Sequence, residues 1–197
     1  INDSATITLN GGALVFTGRD NTNSSEVLGD LNFVSGNNNL NSTAGGGTIR
    51  SAELVFGNVT QSNQATLNLN GATGQLSSAG RIIWANGTSH LVNGSIPWAV
   101  NSGSDLLSYE APSLNNDSGG LAALNASGYR GYSGTLIPLL DDPTGNYKVA
   151  TNIAAMPSGG LDLNALVLAS AAAQSLTFAN ATDVLNLTAG TLLKTGN

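Results

Sequence analysis

Ala65-Thr66-Leu67-Asn68-Leu69-Asn70-Gly71 has a near-copy in Ala5-Thr6-Ile7-Thr8-Leu9-Asn10-Gly11, and both read A-T-x-x-L-N-G. Apolar and small polar residues alternate in each, the period of a strand with one buried face. The closing Asn-Gly tolerates φ > 0, so each phrase predicts a short strand ending in a turn. A second phrase recurs: Leu14-Val15-Phe16 follows Ala13, and Leu54-Val55-Phe56 comes shortly after Ala52. Strand-turn phrases repeated without helices between them imply a solenoid, each coil stacked on the one before.

Outward from these phrases, residues 1–96 contain no proline, and strand patterns follow at short intervals: Thr6–Leu9, Ala13–Thr17, Val27–Val34, Thr48–Phe56, Ala65–Leu69 and Arg81–Trp84. Gly36-Asn37-Asn38-Asn39, Gly45-Gly46-Gly47 and Asn70-Gly71 separate them as turns. The expected fold is all-β, and the repeated phrases favour a parallel β-helix over a sandwich. At roughly 20 to 25 residues per coil, the chain would make about seven to nine coils in a stack roughly 35–45 Å long.

Residues 97–157 carry all five prolines and all four tyrosines. Proline removes a ladder donor, so this stretch predicts loops leaving the coil around short strands at Leu106–Tyr109 and Tyr147–Ala150, a loop-bearing insertion within a single 1–197 segment. Repetition returns from Gly159 with Leu161–Leu163, Leu166–Leu168, Ser175–Phe178, Val184–Leu187 and Thr191–Leu193. The Ala-rich Asn164–Gln174 also fits a helix, but the surrounding phrases favour strand. Both ends fall within or beside strand patterns, and the segment is expected to belong to a longer polypeptide.

Composition narrows function. Only 9% of residues are charged while 41% are hydrophobic, so polarity rests on Asn, Ser, Thr and Gly. The net charge is −6 and the six basic residues are scattered, which argues against nucleic-acid binding. Cysteine is absent, excluding disulfides and thiolate metal sites. No apolar run of about 18 residues offers a membrane-spanning helix.

Several stretches resemble a known family: Ala5 to Gly18, Ser51–Asn70, Arg81–Val100 with Leu91-Val92-Asn93-Gly94-Ser95-Ile96-Pro97-Trp98-Ala99, and Leu185–Leu193. Together they are similar to the autotransporter-associated β-strand repeat proteins. The resemblance implies a right-handed parallel β-helix passenger, secreted or displayed on a bacterial surface, with no catalytic residue to carry over. These 197 residues do not include the C-terminal membrane barrel of a complete autotransporter.

Candidate sites lie mostly in the middle. Tyr129, Tyr132 and Trp98 are candidate glycan-stacking residues, the two tyrosines expected to be the better exposed. Asp141, Asp142 and Asn146 offer oxygen ligands for calcium in a turn, and Asn115-Asn116-Asp117-Ser118-Gly119 is a weaker candidate. Asp105 and Glu110 would be the carboxylates of a polysaccharide-cleaving enzyme, with Arg130 or Lys148 as a lyase base. His90, the single histidine, has no partner at triad or metal spacing. The expectation is therefore a non-catalytic extracellular or cell-surface module that needs no cofactor, serving as a stalk, an adhesin scaffold or a fibre subunit. Its expected partners are other copies of itself and, in the alternative reading, surface polysaccharide, which the chain would bind or degrade.

Overall fold

The computed structural model describes residues 2–48, 51–71, 80–112, 119–151 and 153–195. It is nearly all β, with 52% strand and 2% helix, and its parallel strands stack as a β-solenoid of about six turns. The first coil contains β1 (Ile7–Asn10), β2 (Ala13–Thr17) and β3 (Asn23–Val27). The second contains β4 (Leu31–Ser35), β5 (Asn37–Thr43) and β6 (Ser51–Phe56), and the third β7 (Val59–Gln61), β8 (Thr66–Asn70) and β9 (Gly80–Trp84). Successive coils pair in parallel to give three walls, β1-β4-β7, β2-β5-β8 and β3-β6-β9.

Like residues lie over like because the phrases repeat. Leu14 pairs with Leu40 and Leu40 with Leu69 on one wall, while Leu54 pairs with Ile82 and Phe56 with Trp84 on another. Leu40, Leu69, Ile82 and Trp84 are fully buried. Each such side chain contributes about 1.5–3 kcal/mol through removal of apolar surface from water.

Paired strands of these coils stand 24 to 29 residues apart along the chain. Most of the coils are longer than the 20 to 25 residues expected, and the solenoid has about six turns where seven to nine were expected. Two local features depart from the expected phrasing. The expected strand Val27–Val34 is broken at Gly29-Asp30, where a Cβ at Gly29 would meet the Ser4 carbonyl at 2.6 Å. In Gly36-Asn37-Asn38-Asn39 only Gly36, at φ +68°, turns, and the asparagines begin β5.

Asn38 faces inward and is fully buried. Its Oδ1 accepts from the Gly11 and Gly12 N–H groups, and its Nδ2 donates to the Ser35, Gly36 and Thr66 carbonyls. An asparagine is tolerated in this core because its amide satisfies backbone groups at the corners of three coils.

After β9 and a 3-10 turn at Gly87–His90, β10 (Ala99–Asn101) adds to β8 in parallel. Ser102 and Gly103 then take positive φ, the turn geometry that joins antiparallel strands. β11 (Asp105–Glu110) runs back against β10, and β12 (Gly120–Ala123) runs antiparallel to β11. The parallel ladder of this wall therefore ends in a three-stranded antiparallel patch, where sequence phrasing predicted only loops and short strands.

A second column follows. β13 (Asp142–Val149), β15 (Leu161–Leu168) and β17 (Leu185–Lys194) form one parallel sheet, and β14 (Ile153–Ala155) and β16 (Ser175–Thr177) form another. Of the stretch Asn164–Gln174, the residues up to Leu168 belong to β15 and the Ala-rich remainder is irregular, neither strand nor helix, while the separate short strands expected at either side of Asn164 and Gly190 are continuous. A register shift between Leu163 and Ala165 lets β15 bury both faces. Leu161, Leu163 and Leu166 pack with Tyr147, Val149 and Met156 inside the second column, while Ala165 and Val167 pack against Leu106 and Leu124. The two columns are therefore joined side by side.

Candidate functional site

The joint leaves a groove of about 460 Å³ between the outer face of the β5-β8-β10 wall and the end of β17. Alternation along β5 and β8 sends Leu40, Leu67 and Leu69 into the core and turns Asn37, Asn39, Thr66 and Asn68 outward onto the groove floor. Asn68 Nδ2 donates to Asn39 Oδ1 at 3.3 Å, and Asn68 Oδ1 accepts from the Gly103 N–H at 3.0 Å. Thr66 donates its hydroxyl to Asn37 Oδ1. The opposite wall is the end of β17, where Thr191 and Leu193 share the face of Ala165 and Val167 that meets the first column, while Leu192 pairs with Leu166 and turns its side chain to the other face. None of the groove's lining residues is charged.

Trp98 lines one end of this groove and is partly buried. Its ring stacks on Trp84 at 5.9 Å between centroids and 5° between planes, and it also touches Phe33 at 5.4 Å. His90 meets both indoles edge-on, and its Nε2 is buried with no hydrogen-bond partner among the described residues. Burial lowers the His90 pKa, an effect partly opposed by a hydrogen bond to the Val59 backbone.

Tyr129 and Tyr132 are only partly exposed. The Tyr129 hydroxyl donates to the Gly120 carbonyl at 2.8 Å, and burial, followed by the nearby Glu110 charge, raises its pKa. The Tyr132 hydroxyl donates to Asp105 at 3.0 Å while accepting from the Leu106 N–H at 3.1 Å. Burial is also the main cause of its raised pKa. These rings brace loops against the antiparallel patch, and Trp98 belongs to a different cluster.

Of the candidate catalytic residues, Asp105 and Lys148 do come together, beside the glycan-stacking candidate Tyr132. Lys148 Nζ lies 2.5 Å from Asp105 Oδ1 and 5.7 Å from the centre of the Tyr132 ring. Glu110 ends β11 an odd number of positions after Asp105, so the two carboxylates project from opposite faces and do not flank a common space. Arg130 is exposed and donates to the Thr144 carbonyl at 3.3 Å.

Asp141, Asp142 and Asn146 are drawn to separate partners. Asp141 accepts from the Asp162 N–H, and Asp142 accepts from the hydroxyls of Thr144 and Tyr147. Asn146 is fully buried and points into an amide cluster at the joint. There its Oδ1 accepts from Asn164 Nδ2 at 2.7 Å and its Nδ2 donates to the Asn93 carbonyl at 2.8 Å. Asn164 also donates to the Val92 carbonyl and accepts from Asn93 Nδ2 at 2.9 Å. Among the described residues no group of three His, Asp or Glu side chains is placed to hold a metal ion. Of the weaker calcium candidate, residues 115–118 lie outside the described residues.

The use of the outward Asn/Thr grid as a groove floor and the amide cluster are the features that sequence reasoning missed. The T-L-N-L-N alternation of β8 was the available signal for the first. Compared with protein-family models, with curated proteins and with solved structures, the chain has no match.

Proposed function

We propose that this chain is a non-catalytic structural module of the cell exterior, a rigid β-solenoid segment serving as a stalk, an adhesin scaffold or a fibre subunit of a bacterial surface protein. The observation that carries this reading is the clamped joint: Asn93, Asn146 and Asn164 bond across it while Ala165 and Val167 pack on Leu106 and Leu124. Two short columns fixed in this way behave as one stiff body, because bending at the joint would expose both apolar surface and unsatisfied amides. The charge-poor, amide-rich composition and the resemblance to autotransporter-associated β-strand repeats support the extracellular placement. The Lys148–Asp105 ion pair and the opposed faces of Asp105 and Glu110 favour a structural role for these charges.

Single-molecule pulling between tethers placed at the two chain ends tests the reading. A scaffold should resist extension and then yield in one cooperative event involving both columns. Independent extension of the columns at low force would overturn it.

A further inference from the structure

We propose that the groove between the two columns is a binding site for a neutral glycan, with Asn37, Asn39, Thr66 and Asn68 as its hydrogen-bonding floor and Leu193 on its facing wall. The assignment rests on the chemistry of the two sides. The floor presents amide and hydroxyl groups at two successive positions on each of two adjacent rungs, spaced about 4.8 Å between strands and about 6.6 Å along them. Such a grid offers donors and acceptors together, as a ligand covered in hydroxyls requires. Asn39 and Asn37 each use Oδ1 within the grid, while their Nδ2 groups carry no hydrogen bond among the described residues.

The facing wall presents the aliphatic Leu193, matching the C–H faces of a sugar ring. A volume of about 460 Å³ is within the range of small-ligand clefts. The absence of charge from the lining selects a neutral chain over a uronate or sulfated one. A peptide adding as a strand is disfavoured, because the floor is a sheet face whose backbone groups are committed to the ladders β5-β8 and β8-β10. Trp98 contributes less than its type suggests, since one face of its ring is covered by Trp84. This site does not depend on the mechanical role proposed above.

Titration calorimetry of the full chain with cellohexaose, mannohexaose and xylohexaose, alongside oligogalacturonate and a sulfated oligosaccharide, provides the test. At least one neutral oligomer should bind, and more tightly than either acidic one. Asn39→Ala should weaken that binding about tenfold through loss of one hydrogen-bonding group. Thr66→Val, on the exposed groove floor, should weaken it comparably, and it keeps the test open if Asn39→Ala does not fold. Val15→Ser, on β2 and outside the groove, should bind as the parent does. The proposal is overturned if no neutral oligomer binds, if the acidic probes are preferred, or if binding ignores both groove variants. Self-association that is abolished by Thr66→Val would also overturn it, by showing that a second copy fills the groove.

Discussion

At the scale of single residues, the buried amides carry more than their number suggests. Asn164 is fully buried and bonds to groups 18, 71 and 72 residues away in sequence. Asn164→Leu keeps the volume and removes the amide, leaving the Val92 carbonyl and the Asn93 and Asn146 amides without this partner. It should lower stability by about 2–4 kcal/mol in urea unfolding. His90 gives a pH signature. Its folded pKa is below the unfolded value of 6.5, so between the two values the unfolded chain binds more protons and stability falls as pH falls. The melting temperature should therefore drop as pH is lowered through the region just below 6.5, and His90→Phe should flatten that part of the profile. Neither role was legible in the sequence. Asn164 sits in the same alternating pattern as solvent-facing asparagines, and His90 acquires its environment only when Trp84 and Trp98 stack beside it.

At the scale of elements, β2, β8 and β16 fall close to where alternation placed them because their burial follows the period-two pattern. β11 buries four consecutive residues and was legible only as an apolar run, and β5 was hidden because three consecutive asparagines imitate a turn. What converts that run into a strand is the demand of neighbouring coils for hydrogen bonds, a long-range cause with no local signature. Coil packing also depends on one close approach. A Cβ at Gly80, where β9 starts, would collide with the Ser42 carbonyl and side chain of β5. Gly80→Ala should therefore push two walls apart and destabilise the protein by about 2–4 kcal/mol, with amide hydrogen exchange accelerated first in β9.

For the whole molecule, the sequence supported a solenoid but placed its coils in one stack. The two-column arrangement arises from the direction change at Ser102-Gly103, which resembles any other Ser/Gly turn when read locally. The interface it creates is small and apolar at Leu106, Leu124, Ala165 and Val167. Val167→Asp should bury an unpaired charge there and split the single unfolding transition into two, read by calorimetry. The reversal has a further consequence for insertions and deletions. In an uninterrupted parallel solenoid one coil can be removed and the remainder closes up, shifting everything beyond by a single rung. Here the second column is anchored at β11 and β12, so loss of the coil spanning 31–58 would shorten one column by about 4.8 Å while the other kept its length. The ladder could heal, but Asn37 and Asn39 would go with the lost coil, and β17 would face a different row of the shortened wall. Coil number in this protein is therefore a matter of phase between two columns, and the groove exists at only one setting of it.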